Sequence, residues 1–442
     1  VPSRAELARA PVRMSTSTEV RDDRGRCAIA ATDLPVGHFA TAFSGAPFAA
    51  CLLQHQWSKR CAGCFRAAAE RQPLLRCSRC RLARYCNATC QGADWSLHKH
   101  ECAAMPRLAE GDQEAVVAEL LLAGRCLWRR HTEPNGPAAQ SFDDLVPGPA
   151  LGSDLALGSK AVALGLVPPE VTAARVAGLL AAFRANNFGV LDSLLHVVGA
   201  ACYPTTALLN HSCAPNCVLT YTGNRVEVRT LCEVAAGTEL CHSYVELCQP
   251  TAVRQRVLAE GYGFACTCAR CVGGLVHDGR SVDELMTGGA DQGGEAELER
   301  PLSLLRRAAA EEDLEREAEL VQEALGTLRR LCHPCSLVRY SAEGTALGLA
   351  LARGEVAEAR ECCRNAVQFL EAALSHCPRH PLLALQRFTL ADLHEACGDV
   401  RAALATMQAC AQALETTHGR GDELRQQAMA RVEELQIAAA QL

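Results

Sequence analysis

Hydrophobic and polar positions follow different periodicities in different parts of the chain. Over residues 111 to 130 apolar residues recur at the spacing of one helix face, which predicts an amphipathic helix. Residues 20 to 50 read instead as short strands separated by turns. A second strand-rich block at residues 218 to 228 has a turn at Gly223-Asn224 and reads as a hairpin. The periodicity therefore predicts an α+β chain with two separate β blocks.

The C-terminal part of the chain carries a helical pattern with an internal repeat. A Pro/Gly-rich passage at residues 134 to 158 predicts a loop, and helical sequence resumes around residues 169 to 183. After a Gly-rich linker at residues 287 to 294 the pattern is helical throughout. Gly354 and Gly398, 44 residues apart, each stand between two amphipathic segments. Helix, glycine turn and helix form the unit of tetratricopeptide-like stacks, and an ordinary antiparallel bundle is the alternative.

Composition agrees with a largely helical chain of several domains. At 442 residues the chain exceeds what one hydrophobic core usually organises, so two or three domains are expected. Aromatic residues make up only 4%, and Ala and Leu supply most of the hydrophobicity, which favours helices. The formal net charge of −6 argues against nucleic-acid binding over the whole surface, although it leaves room for a local basic patch.

The 26 cysteines have to be interpreted together with the compartment of the protein. The first residues contain no apolar run of signal-peptide type, and no stretch of about 18 apolar residues indicates a membrane span. We therefore expect a cytoplasmic and nuclear protein. In such reducing compartments cysteines at ligand spacing hold zinc more often than they form disulfides.

Eight potential zinc ligands are concentrated in one block of about forty residues, which is enough for two tetrahedral sites. All positions would be filled by protein, so both sites are expected to be structural, and ligation supplies the folding energy that a small core cannot. The Cys-x3-Cys and His-x3-Cys spacings predict that each of these pairs lies on one face of a short helix. The ligand candidates are Cys61, Cys64, Cys77, Cys80, Cys86, Cys90, His98 and Cys102.

A second cysteine cluster predicts a third zinc ion. Cys266, Cys268 and Cys271 are three ligands that need a fourth, and Cys213 is the candidate. Cys332 and Cys335 also have Cys-x2-Cys spacing, but no second pair lies near them in sequence, so we interpret them as a helix boundary.

The surface of the first cysteine block is basic. Such a patch could contact phosphates, acidic proteins or only solvent, and the sequence leaves these alternatives open. The residues are Lys59, Arg60, Arg66, Arg71, Arg76, Arg79, Arg81 and Arg84.

The first block, with Tyr85 before Cys86 and Trp95 before His98, resembles a MYND finger. The resemblance implies cross-braced pairing of the ligands. One ion would be held by Cys61, Cys64, Cys86 and Cys90, and the other by Cys77, Cys80, His98 and Cys102.

The later part of the chain resembles the signature of SET-domain methyltransferases. This signature is read in Asn210-His211-Ser212-Cys213-Ala214-Pro215-Asn216, in Gly237-Thr238-Glu239-Leu240 and in Tyr244, and the cluster at residues 266 to 271 resembles a post-SET segment. With its inserted finger, the chain resembles the SET- and MYND-domain-containing family of protein lysine methyltransferases. The implied fold is a split SET-domain β-fold with a MYND finger, a post-SET zinc cluster and a helical, tetratricopeptide-like tail.

The resemblance implies methyl transfer from S-adenosylmethionine to the ε-amine of lysine in histone or non-histone proteins. Tyr244 matches the catalytic tyrosine, and Tyr262 and Phe264 match aromatic positions at the lysine channel. Taken singly, each residue has an ordinary structural reading, such as a core tyrosine or a turn-stabilising asparagine. The implied cofactor-binding residues are Arg24, Gly25, Arg26, Asn186, Leu208, Asn210, His211, Tyr244 and Phe264.

The resemblance also implies partners and a domain division. The partners would be a protein substrate, proline-rich peptides at the finger and a heat-shock chaperone at the helical tail, for a monomeric chain that binds neither membrane nor nucleic acid. The expected divisions are 1–60 (N-terminal SET part), 61–102 (finger), 103–190 (helical insertion), 191–248 (C-terminal SET part), 249–273 (post-SET segment) and 274–442 (helical tail).

Four positions depart from the family pattern. Cys27 stands where the first cofactor loop has its second glycine, Val146 and Gly148 cannot supply polar side chains to a nucleoside, and Ala207 replaces a serine-type residue. We expect weaker cofactor binding from these changes. They motivate a second hypothesis, a catalytically weak scaffold that binds partners through the finger and the tail. A nucleic-acid-binding regulator is less favoured, because no aromatic residues interleave with the arginines.

Overall fold

The computed structural model describes residues 16–21, 25–68, 72–136, 138–288 and 295–441. The strands are β1 (Thr16–Arg21), β2 (Gly25–Ala30), β3 (Ala49–Leu52), β4 (Leu75–Arg76), β5 (Arg84–Tyr85), β6 (Asn187–Leu191), β7 (Val197–Cys202), β8 (Asn210–His211), β9 (Cys217–Thr222), β10 (Arg225–Thr230), β11 (Cys241–His242), β12 (Val276–His277) and β13 (Arg280–Ser281). The helices are α1 (Ala88–Glu101), α2 (Met105–Gly111), α3 (Glu114–Thr132), α4 (Ala139–Asp143), α5 (Asp154–Ala163), α6 (Ala173–Asn186), α7 (Thr251–Tyr262), α8 (Ala269–Gly273), α9 (Val282–Thr287), α10 (Glu295–Ala308), α11 (Leu314–Leu331), α12 (Leu337–Arg353), α13 (Val356–Ala373), α14 (Pro381–Ala396), α15 (Val400–Thr417) and α16 (Glu423–Ala439).

The two β blocks of the sequence pair with each other, although about 200 residues separate them. β3, β7 and β6 form a three-stranded antiparallel sheet, β9 and β10 form the expected hairpin, and β8 lies parallel to β11. Isolated bridges then join the first block to the second, at Ile29 with Glu239, Leu34 with Val234, Phe39 with Arg229 and Gly45 with Val226. The finger and α2–α6 are therefore an insertion into one β region, and the predicted α+β class is confirmed.

Two local predictions need correction. The segment predicted as a loop over residues 134 to 158 contains α4 and the start of α5. Asp154 begins α5 because its carboxylate accepts from the Leu151 amide (2.8 Å) and pairs with the distant Arg184. The sequence predicted a short helix for each of two ligand pairs. The structure has a single helix of 14 residues, α1, which contains Cys90 and His98, while Cys86 precedes it.

The C-terminal region is helical beyond the two short strands β12 and β13, and consecutive helices from α10 to α16 pack against each other. Gly354 and Gly398 lie between the helices of the two repeat units with φ of 75° and 82°. Residues with a side chain rarely adopt this left-handed backbone conformation, which is why a glycine follows the first helix of each repeat unit. The helix–glycine–helix repeat is thus confirmed, whereas the domain boundaries stay predictions. Among the described residues, no helix combines the length and the apolar character needed to cross a bilayer.

The tail packs on the β region at two places. Cys213 and Leu258 share a buried cluster with Phe369 and Leu370 of α13. At the end of α15, the Thr220 hydroxyl of β9 donates to the Thr417 carbonyl (3.2 Å). The candidate site around Tyr244 therefore lies beside the tail.

The β9–β10 hairpin also contacts the finger. At its tip, the Asn224 side-chain amide donates to the Gly63 carbonyl (3.0 Å). Gly223 has φ of 62°, and a Cβ there would collide with the Cys64 carbonyl oxygen. Only glycine allows the tip to rest against this zinc knuckle.

Candidate metal centres and aromatic site

The eight ligand candidates of the finger separate into two groups of four, and the ligand atoms of each group lie within 4.8 Å of one another. Cys64 Sγ lies 3.6 Å from Cys86 Sγ, and Cys80 Sγ lies 3.6 Å from His98 Nε2. A zinc tetrahedron with bonds of about 2.3 Å has edges of about 3.8 Å, so the spacing fits the ion. The grouping agrees with the implied cross-brace: Cys61, Cys64, Cys86 and Cys90 form one group, and Cys77, Cys80, His98 and Cys102 form the other.

Helix α1 supplies ligands to both sites from its two ends. Asn87 caps the helix by accepting from the Cys90 amide (2.9 Å), which places Cys90 in the first turn. His98 lies in the last turn, and Cys102 follows directly. One helix thereby fixes the distance between the two sites.

A buried polar network, which the sequence did not reveal, surrounds His98. His98 Nδ1 lies 3.2 Å from Glu101 Oε1, and Arg125 of α3 donates to both Glu101 and Asp94 at 2.5 to 3.3 Å. The Tyr85 hydroxyl donates to Asp94 (2.8 Å). Such partners orient the metal ligand and fix its tautomer. Asp94, His98 and Glu101 share one face of α1, and this spacing was the available signal.

Arg125 joins this network to the β region. Its guanidinium also donates to the Ala50 carbonyl of β3 (2.9 Å), and its side chain is buried. Burial alone would raise the pKa of Glu101, but Arg125 and His98 hold this pKa below its ordinary value. Glu101 therefore stays ionised beside the second zinc site. A small cavity of about 20 Å³, lined by Trp57 and Met105 among others, adjoins the network and has room for one water molecule.

Cys213 and the three cysteines at residues 266 to 271 form the third group, as the sequence predicted. Arg254, which is fully buried, directs its Nε to the Cys213 Sγ at 3.3 Å. Arg270 donates to the Cys213 and Leu247 carbonyls at 3.4 and 2.7 Å. Zinc with four thiolates carries net negative charge, and the two arginines offset it inside the protein.

Tyr244 lies next to this third group. The Tyr244 amide donates to His211 Nδ1 (3.0 Å), and His211 Nε2 lies 3.2 Å from Cys213 Sγ. With Cys213 as a thiolate ligand, Nε2 carries the proton and Nδ1 accepts. The metal group thus orients His211, and His211 positions the Tyr244 backbone. The Tyr244 hydroxyl donates to the Leu209 carbonyl (2.8 Å).

Aromatic rings surround Tyr244. The ring centre of Tyr262 lies 4.8 Å from that of Tyr244, and Phe264 lies 6.4 Å from Tyr262 and 6.0 Å from His211. Tyr262 ends α7, and Gly263 turns the chain with a φ of 77°. The partly exposed Phe264 therefore lies at the solvent-facing edge of this group of rings. The structure therefore brings together all three residues predicted for the channel.

The predicted cofactor residues fall into two places. Asn210 donates from its amide to the Arg26 carbonyl (3.1 Å) and to Glu239 (2.8 Å), and His211 follows it in β8. Leu208 is half-buried in the turn just before. A Cβ added at Gly25, where φ is 67°, would meet no atom of the described residues within 4 Å, so the described part of the chain leaves space beside Gly25.

The other predicted cofactor residues do not all point to that space. Asn186 donates to the Val146 and Ala182 carbonyls, both at 2.7 Å, and ties α6 to the segment that precedes α5. The Arg26 guanidinium donates to the Asp144 carbonyl (2.5 Å). Arg24 lies outside the described residues.

The departures from the family pattern have physical explanations in part. Cys27 is fully buried in β2, and its thiol lies 3.5 Å from the Asn210 amide nitrogen. A Cβ on Gly148 would lie 3.0 Å from the Ala181 carbonyl oxygen, so a side chain there would crowd α6. Their effect on cofactor affinity stays a prediction.

His242 is a further site residue that the sequence did not single out. Its ring lies 4.9 Å from Tyr244 and 5.9 Å from Phe188, its side chain is buried, and its Nε2 has no hydrogen-bond partner among the described residues. Burial and the nearby His211 lower the pKa of His242 to about 3. The imidazole is therefore neutral in the folded chain.

Replacing His242 by leucine is expected to flatten the pH dependence of stability below pH 6.5. The unfolded chain binds a proton at this residue below about pH 6.5, whereas the folded chain does not, so this residue lowers wild-type stability by about 1 kcal/mol over the first pH unit below 6.5. Urea denaturation of the zinc-loaded protein at pH 6.5 and one unit lower measures the effect. Exposed His196→Leu is the control, and equal slopes for wild type and His242→Leu would contradict the prediction.

Comparison with known proteins first defines the finger. Residues 61–102 match the family model of the MYND finger. All eight ligand candidates of the first two groups lie in this range. The chain therefore carries a MYND zinc finger.

Similarity to curated proteins extends beyond the finger. The chain is 33% identical over 241 residues to N-lysine methyltransferase SMYD2 of Gallus gallus, which covers 52% of this chain and 54% of that protein. SMYD2 of Homo sapiens is 32% identical over 241 residues, and SMYD2-B of Xenopus laevis is 30% identical over 243, with the same shares. The chain thus spans about half the length of the curated relatives it matches. Together with the finger, this similarity to N-lysine methyltransferases over half of the chain agrees with the family resemblance found in the sequence.

Proposed function

We propose that the chain is a protein-lysine methyltransferase that uses S-adenosylmethionine and acts on the ε-amine of lysine in histone or non-histone proteins. The observation that carries the proposal is the aromatic site in which Tyr244 is positioned by His211 and the third metal group. The curated relatives, which are named N-lysine methyltransferases, support the same reaction.

The residues present fit the cofactor. Bound S-adenosylmethionine supplies a methyl group carried on a positively charged sulfur. The space that the described residues leave beside Gly25 lets a ligand approach the backbone, and Asn210 and His211 border the same region through the Asn210 contact with the Arg26 carbonyl. Polar backbone and amide groups at this edge would hold the amino-acid part of the cofactor.

The aromatic residues would prepare the lysine. Tyr244, Tyr262 and Phe264 form an apolar wall, and such surroundings strip water from an ammonium group and favour the neutral amine. The Tyr244 hydroxyl donates its proton to the Leu209 carbonyl, so its lone pairs are available as acceptors. They would orient the amine and stabilise the positive charge at the transferring methyl group. No covalent nucleophile is needed.

Partners and localisation are part of the same proposal. The finger binds proline-rich peptides, the helical tail binds a heat-shock chaperone, and a monomeric chain acts in the cytoplasm and the nucleus. An exposed groove beside Trp95 supports the first partner.

The Tyr244→Phe variant is expected to transfer methyl label at least about a hundredfold more slowly than wild type, because it lacks the stabilising oxygen. Labelled S-adenosylmethionine is incubated with histones and cell extract, and incorporation is measured. Tyr340→Phe is the matched control, since Tyr340 stacks on Phe369 in the tail and has no part in the site. Thermal melting and zinc content verify that each variant is folded.

A scaffold with weak catalysis is the second candidate, and Cys27 favours it. Cys27 occupies the position of a loop glycine, and its buried thiol accepts from the Asn210 amide (3.5 Å), so it competes with a ligand for that donor. No label transfer by wild type, together with no cofactor binding in calorimetry, would replace the enzyme proposal by this one. Transfer at the wild-type rate by Tyr244→Phe would remove only the role of that hydroxyl.

A further inference from the structure

One face of the finger concentrates positive charge on a very small element. Arg76 of β4 lies directly opposite Arg84 of β5, and Arg79 and Arg81 lie in the turn that joins these strands. Like charges directly opposite each other in an antiparallel pair destabilise it. Arg84 is half-buried and borders the small cavity beside Glu101, so we call the three exposed residues Arg76, Arg79 and Arg81 the arginine face. None of them forms an ion pair within the residues that the structure describes.

An open groove adjoins the arginine face. Its volume is about 420 Å³, and Arg79, Gln91, Gly92 and Trp95 are among the residues that line it. The Trp95 side chain is 42% exposed, which is unusual for so large an apolar residue. Arg79 belongs both to the groove and to the charged face, so the two features form one continuous surface.

Neutralisation of the zinc thiolates does not explain these arginines. At the third metal group the protein uses a buried arginine for this purpose, and Arg254 Nε lies 3.3 Å from Cys213 Sγ. In the finger a backbone amide donates to a thiolate instead: the Cys86 amide lies 3.4 Å from Cys61 Sγ. Among the described residues, no side chain of the arginine face reaches a thiolate at hydrogen-bond distance, and Arg76, Arg79 and Arg81 are exposed. Their charge is directed outward.

We propose that the arginine face binds an acidic segment of a partner protein, while the groove at Trp95 holds the neighbouring apolar or proline residues of the same segment. Guanidinium groups pair with carboxylates through two parallel hydrogen bonds. The two paired strands are only two residues long, which suits a short run of carboxylates. A nucleic acid would need a longer charged track and several stacking aromatics, and the net charge of −6 opposes a long polyanion.

The proposal is tested with zinc-loaded full-length protein and two fluorescein-labelled peptides. Both peptides have a proline-rich centre, and one is flanked by a run of glutamates where the other has glutamines. Wild type is expected to bind the glutamate peptide at least about tenfold more tightly at low salt, and the preference should shrink as salt is added. Arg76→Gln/Arg79→Gln should lose the preference, whereas Trp95→Ala should weaken binding of both peptides.

The control is Arg256→Gln/Arg307→Gln, which removes the same two charges from exposed positions on α7 and α10. The proposal fails if wild type shows no glutamate preference, if Arg256→Gln/Arg307→Gln loses it equally, or if a single-stranded oligonucleotide displaces the glutamate peptide at lower concentration than the unlabelled peptide does. It also fails if Arg76→Gln/Arg79→Gln loses zinc. The inference rests on the proposed role of the finger in binding partners. A wild-type chain that transfers no methyl label but prefers glutamate would reject the enzyme proposal alone.

Discussion

Replacing Arg125 by methionine is expected to lower the free energy of unfolding by about 3 to 5 kcal/mol. Arg125 is the cation that compensates the buried carboxylates of Asp94 and Glu101. Without it, both carboxylates stay unpaired in a low-dielectric environment. Glu101, which orients the zinc ligand His98, then loses its hydrogen bonds from Arg125. Urea denaturation of the zinc-loaded proteins measures the loss, and zinc release should occur at lower denaturant than in wild type.

Two further variants make this test specific. Arg130→Met removes an arginine from the same helix, where it pairs with Asp143 at the surface, and little change is expected. Adding Glu101→Gln to Arg125→Met removes one of the stranded charges and should restore part of the stability. A double variant that is less stable than Arg125→Met would show that the unpaired charge is not the cause.

The Cys213→Ser variant is expected to contain two zinc ions per chain instead of three and to lose the order of the aromatic site. A complete structural zinc site contributes about 10 to 16 kcal/mol in small domains, so the loss of one thiolate has a large effect. Cys213 also contacts His211, which holds the Tyr244 amide. Metal analysis and the near-ultraviolet circular dichroism of the tyrosines measure the two effects.

Cys232→Ser is the matched control, because Cys232 is exposed and belongs to none of the three ligand groups among the described residues. It should retain all three ions and the wild-type spectrum. Three ions in Cys213→Ser would contradict the assignment of Cys213 as a ligand. Two ions with an unchanged tyrosine spectrum would contradict the link from the metal to Tyr244.

The sequence predicted well which cysteine and histidine side chains lie together, because the information for these groups is local. Cys-x2-Cys turns and the spacing along α1 are set by a few residues, and only Cys213 lies far in sequence from the other members of its group. Arg125 could not be found in this way. It lies 24 residues beyond Glu101, and an arginine in an apolar helix gives no sign of which carboxylates it meets.

Tertiary contacts explain the remaining differences. The start of α5 depends on the pairing of Asp154 with Arg184 of another helix, so local composition predicted a loop. His242 lies two residues before Tyr244, so the contact between these two rings is local, but its position opposite His211 follows from the parallel pairing of β8 with β11. The hairpin β9–β10 was predictable from its turn, but its contacts with Gly63 and Thr417 were not.

That hairpin connects the finger to the helical tail. Asn224 at its tip donates to Gly63 in the first zinc knuckle, and Thr220 of β9 donates to Thr417 at the end of α15. The finger and the end of α15, which lies some two hundred residues beyond β9 along the chain, are therefore held near each other by one short hairpin.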